Sequence, residues 1–194
     1  ANSLSVDASG NSTYAGDLAG SGTFTKLGSG MLVLNGASTA FTGTTSVAAG
    51  TLEVGDATHD TASLGGDVAV GAQGTLRGHG TIIGSVTNGG IVAPGGSIGT
   101  LRISGNYTQA SNATLAIEVS PTAASQLKVS GSATLNGVLA ITYDPGTYQA
   151  TRYTVVTAAN GVKGRFSSVT GAQAAGANLG SLQSSVAYGA NDVI

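Results

Sequence analysis

The residues able to do acid–base or metal chemistry are few enough to weigh one at a time. Nine carboxylates occur in 194 residues: Asp7, Asp17, Glu53, Asp56, Asp60, Asp67, Glu118, Asp144 and Asp192. Only Asp56, Asp60 and Asp67 fall near one another, around His59 in "GDATHDTASLGGD". Polysaccharide hydrolysis and lysis, or a bound divalent cation, require carboxylates gathered on one site. Among so many Gly, Thr and Ser residues this stretch reads instead as a solvated loop between two strands. His79 stands beside Arg77 in "RGHGTI", and a Ser-His-Asp arrangement can be drawn from it only because serines are everywhere. No G-x-S-x-G elbow supports that drawing, so His79 is expected on an exposed turn. "GSGTFTKLGSG" fails as a phosphate-binding loop, because Thr25 stands in the second glycine's place and Leu27 follows Lys26. The calcium nonapeptide repeat is missing, and the N-x-[ST] triplets at Asn11, Asn106 and Asn112 are what chance gives in such a text. Tyr143, Tyr148, Tyr153 and Phe166 could stack on sugars, but core and rim of a packed end is the expected role. No catalytic, cofactor-binding or metal-binding residue is expected.

Composition turns the question toward architecture. Glycine is 32 of 194 residues, roughly 16% against about 7% in ordinary proteins, and only 8% of residues are charged against about 25%. With 41% apolar residues and a net charge of −2, the chain does not have the polar, highly charged composition of a disordered segment. Seven cations spread over its length give no electrostatic footprint for nucleic acid or an anionic membrane. No apolar run is long enough for a spanning helix. The opening "ANSLSVDASG" has no Met and no leader pattern, and reads as a fragment of a longer chain. Cysteine is absent, which excludes a disulfide scaffold and suits a protein that crosses an oxidising compartment unfolded.

Apolar residues alternate in short runs: Leu32 and Leu34, Leu52 and Val54, Val68 and Val70, Leu101 and Ile103. Further along come Leu115, Ile117 and Val119, then Leu127 and Val129, then Leu139, Ile141 and Tyr143. This period of two, bounded by Gly, Asn and Ser, predicts half-buried strands throughout. Gly-Thr-Leu begins at Gly50, Gly74 and Gly99, and Gly22-Thr23-Phe24 precedes it. Spacing of about 20–50 residues marks a repeat architecture, and a rung of three short strands and three bends fits it. We therefore expect an all-β, parallel β-helix with about five rungs in residues 1–115. Leu and Val should point inward, with Thr, Glu53, Arg77 and Arg102 outward. Gly50, Gly55, Gly74 and Gly99 are expected at bends with positive φ.

After about residue 110 the Gly-Thr-Leu spacing fades, longer strands appear and aromatic residues collect. The segment 111–194, with a turn at Asp144-Pro145-Gly146, is expected to form a β-hairpin or sandwich-like cap on a stem of residues 1–110. A solenoid needs such a cap, because its last rung otherwise presents an open core and an unpaired edge.

"GSGTFTKLGSGMLVLNGASTAFTGTTSVAAGTLEVG" (20–55), "GTIIGSVTNGGIVAPGGSIGTLRISGNYTQASNATLAIEV" (80–119), "LKVSGSATLNGVLAITY" and "YTVVTAANGVKGRFSSV" together resemble the C-terminal passenger region of type V autotransporters, pertactin-like and AIDA-like. The first stretch looks like the passenger-associated transport repeat, and the ending "SSVAYGANDVI" is similar to the strand leading toward the translocator barrel. The resemblance implies a right-handed β-helix stem carried to the surface of a Gram-negative cell. Its implied partners are a C-terminal translocator barrel and an upstream passenger. It also implies that the later part is an autochaperone, folding first and promoting folding of the stem. Cap-core residues for that role are Leu115, Ile117, Val119, Leu127, Val129, Leu139, Ile141, Val155 and Phe166. Two alternatives stay open: an adhesin stem binding host glycan or protein itself, and a stem for an upstream protease or esterase.

Overall fold

A computed structural model describes residues 2–194; Ala1, where the expected stem begins, lies outside the described residues. The described chain contains no helix, and its strands stack into three walls of a coil. The first wall runs Ser3–Asp7, Thr23–Leu27, 44–47, 67–70, Val86–Asn88, Tyr107–Gln109, Ala133–Leu135 and Val162–Gly164. The second runs Ser12–Tyr14, Met31–Leu34, 51–54, 74–78, Ile91–Pro94, Thr114–Val119, Val138–Tyr143 and Ser168–Gln173. The third runs Ala37–Ser38, Ser63–Leu64, Thr81–Ile82, Thr100–Ile103, Gln126–Val129 and Val156–Ala158. Every one of these pairings is parallel, so each interior strand's backbone is satisfied by the rung above and the rung below. The chain is an all-β parallel β-helix. None of its described residues forms a helix long and apolar enough to cross a membrane, which says nothing of β-barrels.

Alternation explains what fills the coil. Leu32, Leu52, Leu76, Val92, Leu115 and Leu139 follow one another in register up the second wall, and all are buried. Leu64, Ile82, Ile103, Val129 and Ala158 do the same on the third. Burying one such aliphatic side chain is worth about 1.5–3 kcal/mol, so the ladder is the main source of stability. Between the columns, Glu53 faces out but is covered by Arg77 of the next rung, whose Nε and Nη2 donate to Glu53 Oε2 at 2.8 and 2.7 Å. Arg102 is exposed.

The repeated phrase stacks once. Gly50-Thr51-Leu52 lies directly under Gly74-Thr75-Leu76, but Gly99-Thr100-Leu101 lies on the third wall, against Gln126 and Leu127. Gly50 and Gly55 have φ of +63° and +70°, as expected. Gly74 and Gly99 do not adopt positive φ. Close approach requires glycine at Gly74, where a Cβ would stand 2.1 Å from the Val47 carbonyl oxygen; at Gly99 a Cβ would stand 2.3 Å from the His79 ring, which would have to move.

The expected hairpins are not where the sequence placed them. Thr114–Val119 pairs in parallel with Val138–Tyr143, which pairs in parallel with Ser168–Gln173, so coiling continues well past residue 110. Turns lengthen on the way, from 21 residues between Phe24 and Thr45 to 29 between Ala133 and Val162. That lengthening erased the repeat in the text while the strands kept their register. Among the described residues, antiparallel pairing is confined to Asp192–Val193 on Val156–Thr157 and to single bridges at Val119↔Ala124 and Tyr188↔Val193.

Candidate functional site: the C-terminal end of the coil

The nine singled-out residues occupy the last turns of the coil. Leu115 and Leu139 stack in register on the second wall, as do Ile117 and Ile141, while Val119 stacks on Tyr143. Leu127 and Val129 sit on the third wall between Leu101, Ile103 and Val156, Ala158. Val155 precedes that last strand, and its N–H donates to Val193 O. All are buried apart from Ile141, which is only partly covered. Phe166 packs against Tyr188 with ring centroids 6.3 Å apart, and its N–H donates to the Tyr188 hydroxyl at 3.3 Å. Arg165 lies over the same tyrosine ring, 4.7 Å from its centroid.

Aromatic residues fasten the end. Tyr143 and Tyr148 meet edge to face at 5.6 Å, and the buried Tyr148 hydroxyl donates to the Val119 or Asp144 carbonyl. The Tyr153 hydroxyl donates to Pro121 O at 2.9 Å. With Tyr143, Tyr148 and Phe166 buried, these rings form rim and core. Burial raises the Tyr148 hydroxyl pKa, helped by nearby Asp144. Burial, with Asp144 beside it, also raises Glu118 above the usual carboxylate range, against the opposing pull of Arg77. A cavity of about 510 Å³ opens under the last turns, bounded by Leu139, Ile141, Tyr153, Leu179, Leu182 and Val186. Its origin is visible in the ladder: above Ile141 the next residue in register is Gly171, which contributes no side chain.

Three buried polar residues escaped the sequence reading. Lys26 is fully buried at the bend between the first and second walls, and its ammonium donates to the carbonyls of Leu27, Gly28 and, one rung on, Ala49. Burial lowers its pKa, with Asp7 opposing. At the same bend in later rungs stand Asn88 and Gln109. Asn88 Nδ2 donates to the Tyr107 hydroxyl at 3.1 Å and to Thr114 O; the hydroxyl donates to Gln109 Oε1 at 2.7 Å. Gln109 Nε2 reaches the carbonyls of Ala113, Asn136 and Val138. Desolvation raises the Tyr107 pKa well above the usual phenol range, so the hydroxyl stays a donor. These side chains supply donors to carbonyls at the bend, of which Leu27 O and Ala113 O also accept a backbone N–H from a neighbouring rung. A Lys, Asn or Gln in the place of an inward apolar residue two positions after another inward residue was the signal available in the text.

Another set of bends is stitched from rung to rung. Ser85 N–H donates to Asp67 Oδ1, Asn106 N–H to Ser85 Oγ, and Ser132 N–H to Asn106 Oδ1. Asp67 therefore belongs to a different corner from Asp56 and His59. His59 Nδ1 lies 2.7 Å from Asp56 Oδ1, in an exposed turn that Asn35 ties to the previous rung through Asp56 Oδ2. His59, then Thr58 and Asn35, hold the Asp56 carboxyl well below the usual range. Among the described residues no three His, Cys, Asp or Glu side chains come together around a metal-sized space. His79 is held by its backbone: its N–H donates to Gly55 O, and its carbonyl accepts from Arg102 Nη1 at 3.2 Å.

Residues 24–54 match the passenger-associated transport repeat. The matched stretch starts on the first wall at Phe24, makes one full turn to Thr45 and closes the next second-wall strand at Val54. It thus contains the Lys26 bend and both rungs that this lysine joins. Over 108 residues, 56% of its length, the chain is 33% identical to "Adhesin BmaC autotransporter" of Brucella suis biovar 1 (strain 1330). The aligned region is 3% of that relative's length. Both findings support an autotransporter passenger region.

Proposed function

We infer that this chain is a non-enzymatic structural module of an autotransporter passenger, and that its segment 111–194 acts as the folding nucleus for the turns before it. One observation carries the reading: the last turns of the coil are tied down by the chain's own return. At the C-terminal end the chain folds back, with Val155 N–H donating to Val193 O, Ala158 N–H to Asn191 O and Val162 N–H to Ala190 O. Two of the walls are thereby closed by the chain itself, which gives the turns before them a fixed surface to build on.

The energetics favour starting from these tied-down turns. A first rung orders its backbone at roughly 1–2 kcal/mol per residue with no neighbour to offset the loss. Each later rung meets a ready row of N–H and C=O groups and an apolar floor. The polar corner adds to this, since Ser132 and Asn106 hold N–H groups that the preceding rung's side chains accept. In this reading the partners are a translocator barrel following the chain and an effector region preceding it, and the place of action is the Gram-negative cell surface or the medium outside it. Folding outside the membrane would also keep a sliding chain from slipping back.

The test is deletion of 111–194 from the full passenger, with protease resistance of the upstream turns at the cell surface as readout. Loss of resistance supports the nucleus; an upstream coil that stays resistant refutes it. A second reading is favoured by the relative's printed name: an adhesin stem whose own walls bind a host surface. Direct binding of the isolated 194-residue chain to host cells would support it.

A further inference from the structure

Two of the three walls are closed at the C-terminal end by the chain itself. Asp192–Val193 lies antiparallel on the last third-wall strand, and Val162 of the first wall donates its N–H to Ala190 O. The second wall ends differently. Its last strand, Ser168–Gln173, pairs with Val138–Tyr143 on one side and with no other strand among the described residues, and all six of its residues are exposed. Ser168 N–H donates to Gly137 O and Ala174 N–H to Tyr143 O, which fixes the alternation: even-numbered residues address the coil. The N–H and C=O groups of Val169, Gly171 and Gln173 therefore point away from it.

Natural sheets blunt such an edge with charge, proline or a bulge. The sequence here is Ser-Val-Thr-Gly-Ala-Gln, with no charge and no proline, and its register with the inner neighbour is continuous. Val169 is 44% exposed.

We propose that this edge pairs, antiparallel, with the same edge of a second copy of the chain. The self-match follows from the positions of the free groups. They sit at 169, 171 and 173, symmetric about Gly171, so a two-fold axis there sets Gly171 against its own counterpart and Val169 against the partner's Gln173. Every outward group then finds a complement, about six hydrogen bonds in all. The absence of charge means that nothing on the strand repels its copy, and Gly171 at the axis leaves room for close approach. The strip is narrow, so the pairing is weak and concentration-dependent. The proposal does not depend on the folding-nucleus reading.

Sedimentation equilibrium of the whole 194-residue chain, over roughly a hundredfold range of concentration, reads the association directly. The expected result is a shift from monomer toward twice the monomer mass. Amide hydrogen exchange at Val169, Gly171 and Gln173 should slow as concentration rises, while exchange in the coil stays constant. Val169→Pro removes an outward N–H without touching an inward bond, and Thr170→Lys brings like charges together near the axis. Each should weaken the dimer by about tenfold or more. If Val169→Pro does not fold, the lysine variant and the exchange data decide. A monomer at every concentration, or a dimer that Thr170→Lys leaves intact, overturns the proposal. A monomer that protects those three amides only when an unrelated extended peptide is added overturns it in favour of a foreign strand.

Discussion

Ile117 and Ile141 stand in register on adjacent turns of the second wall, yet Ile117 is 1% exposed while Ile141 is only partly covered and borders the terminal cavity. The two isoleucines are therefore unequal probes of the coil's end. Ile117→Asp places a carboxylate among Leu115, Leu139 and their neighbours with no partner, a change that costs several kcal/mol or forces protonation. Ile141→Asp can turn its carboxylate toward the cavity and water. Thermal unfolding should show Ile117→Asp lowering Tm by far the more, with protease resistance of the upstream turns lost in that variant and largely kept in Ile141→Asp. Equal loss in both would mean that the cavity is closed in solution.

Lys26→Met keeps the length and apolar stem of the side chain and deletes its three donated hydrogen bonds, to Leu27, Gly28 and Ala49. The carbonyls of Gly28 and Ala49 then lose their lysine donor at a buried bend, and Leu27 O keeps only the Ala8 N–H. The expected loss is about 1–3 kcal/mol in denaturant unfolding, more than a surface lysine would give. Because one of those bonds joins two rungs, exchange of amides around Ala49 should speed up as well.

Gln109→Leu tests the same bend four turns later. It strips donors from the carbonyls of Ala113, Asn136 and Val138 and takes away the acceptor of the Tyr107 hydroxyl. A loss on the order of 3 kcal/mol is expected. Adding Tyr107→Phe to it should recover part of that loss, since the hydroxyl whose proton has lost its acceptor goes too, while Asn88 Nδ2 keeps Thr114 O. A double variant worse than the single one would contradict the network.

How these bends work was the part hardest to see in the text. Strands were legible because Leu115, Ile117 and Val119, or Leu101 and Ile103, alternate so plainly that only a two-sided wall accommodates them. The repeat was legible where rung length and phrase spacing coincided, at Gly50 and Gly74, and misleading at Gly99, where the same words open a strand on another wall. After Tyr107 the loops lengthen, and loop length leaves no hydrophobic signature. Parallel rungs there were accordingly read as hairpins. Lys26, Asn88 and Gln109 were passed over for a related reason: a polar residue in an inward column looks like an interruption until the carbonyls around it are counted. Asp56 and His59 illustrate the reverse case, residues whose chemistry caught attention and whose partners, Thr58 and Asn35, show a pinned turn.

Thr45 stands in register between Phe24 and Val68 on the first wall, and its buried hydroxyl has no hydrogen-bond partner among the described residues. Thr45→Val replaces that hydroxyl with a methyl of similar volume. Because the desolvated group disappears while the shape stays, the variant should be more stable by about 1 kcal/mol. A Tm that falls on making this change would require a bound water or another acceptor at the site.

The turn at Asp56 sets a pH dependence whose sign can be worked out. Hydrogen bonds from His59, Thr58 and Asn35 hold its carboxyl below the usual value, so the folded form binds a proton less readily than the unfolded chain. A depressed carboxyl contributes stability that is complete above the unfolded value, about 3.9, and fades as pH falls through the lower folded value. Asp56→Asn removes that dependence. The difference in Tm between the parent and this variant should hold steady from neutral pH down to about pH 4 and shrink below it. In an NMR titration the Asp56 carboxyl should be among the last to take up a proton, with the Asn35 side-chain amide reporting release of the turn at the same low pH. A gap that instead closed well above pH 4 would mean that another group, not this carboxylate, anchors the turn.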